Sequence, residues 1–288
     1  MVIASMELDF SIIIPTRNRP TQIAACLQAV AGLEYPRDRY EVIVVDDGSV
    51  PPVTVNGATV VRQDPAGPAV ARNTGAAHAR GKYLAFTDDD CAPAADWLRT
   101  LAARLAERPD HLIGGAVANA LPANPYSTAS QLLAGYLYAH YNADPDQPRF
   151  FTSNNMAVAA TAFRAVGGFD SRLPRAAAED RELCDRWRHL GRPMTYAPEA
   201  QIRHAHRLTA RTFWQQHFNY GRGAHYFHKT RARRGDGRIR VEPGTFYWRL
   251  VRYPWTARHP QPCRQAALLL VSQVANALGF FWERGARW

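Results

Sequence analysis

The N-terminal part of the chain alternates between apolar runs and abrupt polar stops. Phe10-Ser-Ile-Ile-Ile-Pro15 gives way to Thr-Arg-Asn-Arg19, and Tyr40-Glu-Val-Ile-Val-Val45 gives way to Asp-Asp-Gly-Ser49. Apolar residues in near-continuous runs fit strands covered on both faces, as in a parallel sheet. Between the two runs, Pro20 suits the first turn of a helix. Ile23, Ala24, Leu27 and Val30 or Ala31 then recur on one helical face. A strand, a helix and a strand with connections of this size form a right-handed βαβ unit.

The same reading continues along the chain. It predicts a short strand at 59–62, a helix of small residues at 67–80, and a strand at 84–87 that stops at Asp88, Asp89 and Asp90. A solvated acidic turn capping a helix that begins near Pro93 is the bland account of that triplet. A helix at 97–105 and a strand at 111–117 follow. The Pro-, Asn- and Tyr-rich stretch 118–148 has helical spacing only at 127–141. Strands are expected at 151–159 and 194–206, with a turn at 167–170 and a helix from Glu179 to the glycine stop at Gly191 between them. In the last strand Ile202, His204 and His206 fall on one face at period two. Past Leu208 the texture becomes aromatic and arginine-rich, which divides the chain into a domain at 1–207 and an extension at 208–288.

Composition narrows the picture. With 47% hydrophobic and 21% charged residues over 288, the chain is globular rather than disordered. Its net charge of +10 is uneven: from Arg203 onward there are 16 Lys and Arg against 3 Asp and Glu. Nucleic acid, anionic lipid or a phosphorylated substrate could answer such an extension. Cys26, Cys91, Cys184 and Cys263 are widely spaced, as expected of buried thiols in a reducing cytosol, and provide neither a zinc site nor a disulfide framework. The first ten residues lack the pattern of a signal peptide, so a cytoplasmic location is expected.

Candidate chemistry gathers where strands end. Asp46-Asp47 and Asp88 to Asp90 both follow apolar strands, and that edge of an open α/β sheet is where ligands bind. Adjacent carboxylates repel one another by roughly a few kcal/mol per pair and call for a compensating cation. Hard oxygen ligands suit Mg²⁺ or Mn²⁺ shared with phosphates. The loop after the first strand is no GxGxxG, the stretch from Gly75 to Lys82 is no P-loop, and neither a GxSxG elbow nor a kinase signature occurs.

Taken in order, SIIIPTRNRP, EVIVVDDGS, GPAVARNTGAAHARGKYLAFTDDD, NNMAV…FRAVGGFD and EDRELCDRWRHLG closely resemble the family 2 glycosyltransferases over residues 10 to 206. The resemblance implies a GT-A fold: a Rossmann-like, mostly parallel sheet flanked by helices, here with a helical C-terminal extension. It implies inverting, Mn²⁺- or Mg²⁺-dependent transfer from a nucleotide sugar to an acceptor hydroxyl of a glycan, lipid or small molecule. Pro15, Thr16 and Arg17 would meet the nucleotide. Asp47 would accept the imide N–H of uracil or thymine, which makes a UDP-sugar the preferred donor, and Arg72 would be the basic residue near the nucleotide. Asp88 and Asp90 match the DXD motif, with Asp90 the direct metal ligand and Asp88 reaching ribose or metal through water. Asp89 points the other way and fits a structural role beside the donor. Asp180 matches the general base, with Glu179 facing elsewhere on the helix. His204 matches a histidine metal ligand, and His206 on the same strand face remains the alternative. Asn155 and Arg222 complete the expected donor site, although Tyr220-Gly-Arg-Gly223 departs from the QxxRW of processive synthases.

Two rivals remain open at this level. A sugar-nucleotide nucleotidyltransferase would use a similar domain, but its glycine-rich basic loop is missing after the first strand. A binding protein with a decayed site would hold nucleic acid through the basic extension; the intact acids speak against it, and no nucleic acid partner is expected. The apolar stretch 266–282 is about as long as a short spanning helix. Gln265, Ser272, Asn276 and Glu283 draw one narrow polar stripe along it. Such a helix packs on the domain, forms a homo-oligomer, or lies at an anionic membrane surface, and flanking arginines and tryptophans favour peripheral attachment to the inner face of the membrane.

Overall fold

A computed structural model describes residues 8–144, 147–172, 177–235 and 242–286. β1 (Phe10–Thr16) is buried along its whole length and pairs in parallel with β2 (Tyr40–Asp47) and β4 (Tyr83–Phe86). β3 (Thr59–Gln63) extends the parallel set beyond β2. The complete order is β3-β2-β1-β4-β7-β6-β8-β5, with β5 (Cys91–Pro93), β6 (Leu112–Asn119), β7 (Met156–Ala159) and β8 (Met194–His204). β6 and β8 are parallel, whereas β7 opposes both its neighbours and β5 opposes β8.

Both faces of this sheet are covered, which is why its first strands lack alternation. Ile12, Ile14, Val42 and Val44 pack against α1 (Pro20–Ala31) and against Trp97, Leu98 and Leu101 of α3 (Trp97–Glu107). Ile13, Ile43 and Val45 point the opposite way, onto α2 (Pro68–His78) and a layer that includes α5 (Ala160–Ala165) and α6 (Glu179–His189). Each such side chain contributes about 1.5–3 kcal/mol when fully buried. Small residues on α2 let it approach closely: a Cβ at Gly75 would stand 2.5 Å from Ile13 Cγ2.

The expected strand at 151–159 is shorter than its apolar pattern. Ser153–Asn155 form one 3₁₀ turn that sends Asn155 inward. There Trp97 Nε1 donates to Asn155 Oδ1 at 2.8 Å, and Asn155 Nδ2 donates to the carbonyls of Ala116 and Ala200, each at 2.8 Å. The carboxamide thus spans the register break of the β6–β8 ladder between Gly115 and Ala116. Of the four cysteines, Cys26, Cys91 and Cys184 are buried as expected, but Cys263 is exposed.

The extension is helical: α7 (Ala210–Arg233), α8 (Gly244–Thr256) and α9 (Pro262–Gly285). Their anchor on the sheet domain is α4 (Pro125–Tyr141), whose Tyr136 joins Phe246, Leu250 and Leu269 in a separate apolar cluster. α7 and α9 touch backbone to backbone. A Cβ at Gly221 would lie 1.8 Å from the Asn276 carbonyl oxygen, and one at Gly279 would lie 1.9 Å from that of Phe218. This contact turns the polar stripe of α9 inward, so that Gln265, Ser272 and Glu283 are buried. Gly279→Leu must therefore push the helices apart. Overpacking of this kind costs about 1–3 kcal/mol, and thermal unfolding should show Tm lower by about 3 °C or more. Leu278→Ala, one residue away on the exposed side, should leave Tm nearly unchanged; equal behaviour of the two variants would refute the packing.

Candidate active site

The C-terminal ends of β1, β2, β4 and β8 border a cleft of ≈ 1510 Å³, closed on its other side by α4 and the extension. At the end of β2 the two acids part company. Asp46 accepts hydrogen bonds from the backbone N–H groups of Ser49 (2.8 Å) and Val53 (3.1 Å) and from Arg62 Nη1 (2.6 Å), and so builds the turn. Asp47 borders the cleft, where its Oδ1 accepts from Gln63 Nε2 and the Ala66 N–H, both at 2.8 Å, and its Oδ2 accepts from the Gly67 N–H at 2.9 Å. With one partner among the described residues, Oδ2 has room for a further donor.

The triplet after β4 is neutralised residue by residue. Arg72 Nη2 donates to Asp88 Oδ1 at 2.6 Å. Arg19 Nη1 serves Asp89 Oδ1 at 2.6 Å and Asp90 Oδ2 at 3.1 Å, while Thr16 donates its hydroxyl to Asp89 Oδ2 at 2.7 Å. His204 Nε2 stands 3.1 Å from Asp90 Oδ1. Burial pushes the Asp89 carboxyl up to about 6 against the pull of Arg19. Burial would raise Asp90 too, but the hydrogen bond and charge of His204, with Arg19 behind them, hold it well below the usual carboxylate range. In return Asp90 lifts His204 despite its burial. His206 stacks on that ring, with centroids 4.9 Å apart, and is pushed down to about 4 by burial and by the neighbouring imidazole. The two histidines thus differ: His204 addresses the acid, whereas His206 backs it.

Arg72 is the hinge of the site. Buried on α2, it links Asp88 to Glu179, whose Oε1 lies 3.1 Å from Nη1, and its guanidinium sits 5.6 Å from the centre of the Phe169 ring. Glu179 therefore does not face away as expected. Ala178 precedes α6 in the left-handed region, with φ 74°, and the turn it makes sets both Glu179 and Asp180 on the cleft wall. The Asp180 carboxyl is pushed up to about 7, first by burial and next by the charge of Glu179. That value suits a group that must take a proton near neutrality.

Pro15, Thr16, Arg17, Asp47, Arg72, Asp88, Asp89, Asp90, Asp180 and His204 all border this one cleft. Asn155 and Arg222 do not. Asn155 is consumed by the three buried bonds described above. Arg222 forms an ion pair with Glu283, and its flanking glycines serve packing: Gly221 meets Asn276, and a Cβ at Gly223 would lie 2.5 Å from the Ala177 carbonyl oxygen. In this structure neither residue, both expected at the donor, stands on the cleft wall. Arg19 escaped the sequence reading, although it shares the loop of Pro15 to Arg17 opposite the acids.

The donor set fits a divalent cation. Ligand atoms of Asp90, Cys91 and His204 lie within 4.8 Å of one another. Beside the buried Cys91 thiol, the group offers a carboxylate oxygen and an imidazole nitrogen, the harder ligands that suit Mn²⁺ or Mg²⁺, with Asp88 two residues away.

The mixed eight-stranded sheet, with its acids at the C-terminal ends of its strands, has counterparts of GT-A fold among solved structures. The fold is similar to that of a mannosyltransferase from Pyrobaculum calidifontis solved with GDP-Man and Mn²⁺, with a TM-score of 0.60 and 20% identity over 96% of this chain and 83% of that one. It is also similar to S. aureus TarS 1-349 in complex with UDP, with a TM-score of 0.52 and 15% identity over 98% and 93% of the two chains. In sequence the chain is 28% identical over 228 residues to the pre-mycofactocin glycosyltransferase of Mycobacterium tuberculosis, covering 75% of this chain and 47% of that protein. It is 29% identical over 173 residues to the glycosyltransferase AglE of Haloferax volcanii, covering 57% and 56%. The chain thus spans about half the length of these curated relatives. The model of glycosyl transferase family 2 matches residues 11–167, and the chain belongs to that family.

Proposed function

We propose that this glycosyltransferase moves a sugar from a UDP-sugar to an acceptor hydroxyl with inversion, using a divalent cation and Asp180 as general base. The observation that carries the reading is the meeting of Asp47, the Asp88–Asp90 triplet, His204 and Asp180 in one cleft. Asp47, with room left on Oδ2, would take the imide N–H of uracil. Asp88, Asp90 and His204 would hold Mn²⁺ or Mg²⁺, which when bound supplies positive charge to the diphosphate. Solved GT-A relatives that hold GDP-Man with Mn²⁺, or UDP, support such a donor. Asp180 would accept the proton of the acceptor hydroxyl while that hydroxyl's oxygen bonds to the anomeric carbon and the bond from that carbon to the diphosphate oxygen breaks. The new bond then forms on the face opposite the leaving group. Arg72 keeps Asp88 and Glu179 in place around this reaction.

Thermal unfolding with UDP, TDP and GDP, each with and without Mn²⁺, tests donor and metal together, because a ligand of the folded state raises Tm. The expected result is the largest rise with UDP and Mn²⁺ combined. No rise with any nucleotide would overturn the donor reading, and a rise with GDP alone would move it to a guanosine donor. The anomeric configuration of the product, read by NMR, tests inversion.

A further inference from the structure

α9 is inside out for a helix of a water-soluble surface. Its polar residues Gln265, Ser272 and Glu283 are buried, while Leu270, Val271, Val274, Leu278, Phe281 and Trp282 stand exposed, Trp282 by 67% and Phe281 by 61%. α8, which packs beside it through Phe246 and Leu250, exposes Trp248 by 61% and Trp255 by 47%, seven residues apart and hence on one helical face. An exposed apolar patch of this extent marks an interaction site.

Charge decides what covers it. Arg249, Arg252, Arg258, Arg264 and Arg284 are all exposed on or beside these two helices. The only carboxylate between residues 243 and 286 is Glu283, which is buried against Arg222. Residues 243–286 thus combine exposed apolar and cationic side chains with no exposed acid, and Glu242 just before them is half-buried and accepts from the Tyr141 hydroxyl. A second copy meeting it across a twofold axis would oppose arginine to arginine. An anionic bilayer answers both parts: acyl chains take the apolar side chains, headgroups take the guanidinium groups, and indole rings suit the boundary between them.

We propose that α8 and α9 form a docking face for an anionic lipid bilayer, with α9 lying in the plane of the headgroups. By length and composition α9 could cross a membrane. Spanning would, however, require the buried Gln265, Ser272 and Glu283 to be uncovered and the Arg222–Glu283 ion pair to break, while the Gly221 and Gly279 contacts lock the helix to α7. Leu270, Val274 and Phe281 border both the exposed face and the cleft, so a docked bilayer lies at the mouth of the active site.

Flotation with vesicles of phosphatidylcholine, with and without phosphatidylglycerol, tests the proposal on the full chain. The unaltered protein should float with the anionic vesicles and remain at the bottom with the neutral ones. Arg249→Gln with Arg252→Gln should weaken binding roughly fivefold per arginine removed. The triple variant Val271→Gln, Leu278→Gln, Trp282→Gln touches no cleft residue and should abolish flotation while keeping the unaltered protein's circular dichroism. If the unaltered protein fails to float while UDP and Mn²⁺ still raise its Tm, the docking face is refuted and the donor reading stands. A stable dimer in solution that the triple variant dissociates would also overturn the proposal, by showing the face to be a contact between copies.

Discussion

Asp180→Asn should lower turnover by roughly 10²-fold or more while leaving nucleotide binding in place, the usual scale for loss of a general base. An amide cannot take the acceptor proton, and the Asp180 carboxylate, whose Oδ1 accepts from the Arg181 N–H at 2.7 Å, is linked to Arg72 and Asp88 through charge alone. The pH dependence follows from the same carboxyl. With its pKa near 7 it is protonated in more acidic solution, so kcat/KM should fall about tenfold per pH unit below that value. The limb should vanish in the variant. Stability should move the other way. An ordinary aspartate titrates at about 3.9, so between that pH and about 7 the folded state keeps a proton that the unfolded chain has released. Ionising Asp180 thus weakens the fold as pH rises through this window. At pH 8 the asparagine variant should melt at or above the temperature of the unaltered protein, and the difference should shrink toward pH 4. Near-normal turnover in Asp180→Asn would instead assign the base to Glu179, the other carboxylate at the start of α6.

Removal of divalent metal should abolish transfer and weaken nucleoside diphosphate binding, and Asp90→Asn should reproduce both effects on the order of 10²-fold or more. Without a cation the site presents Asp88, Asp89 and Asp90 to an incoming diphosphate, with Arg72, Arg19 and His204 already engaged by those same acids. Calorimetric titration of UDP with Mn²⁺ and then with EDTA reads the binding term apart from catalysis. Full activity of EDTA-treated enzyme would show that the acids of β4 serve the fold alone.

How far each part of the site can be read in advance depends on the range of the interactions that make it. The first strands, their faces and the placing of Asp47 and Asp88 to Asp90 at their ends were legible because burial on both sides leaves a continuous apolar run, and the edge residues follow within one or two positions. The two-histidine question was not legible. Residues 204 and 206 share a strand face, and only the antiparallel pairing of β5 with β8, which sets Cys91 opposite His204, brings one of them to Asp90. Glu179 depended on a single left-handed residue before α6, and Ala178 has no side chain that announces such a conformation. Asn155 and Arg222 looked like ligand-binding residues because amides and guanidinium groups serve burial and recognition with the same hydrogen bonds. Their partners, Trp97 at 58 positions away and Glu283 at 61, are visible only once the chain is folded. The amphipathic stripe of α9 was plain in the sequence, but its direction was not. Periodicity shows that a helix has two faces, and the backbone contacts at Gly221 and Gly279 decide that the polar one turns inward.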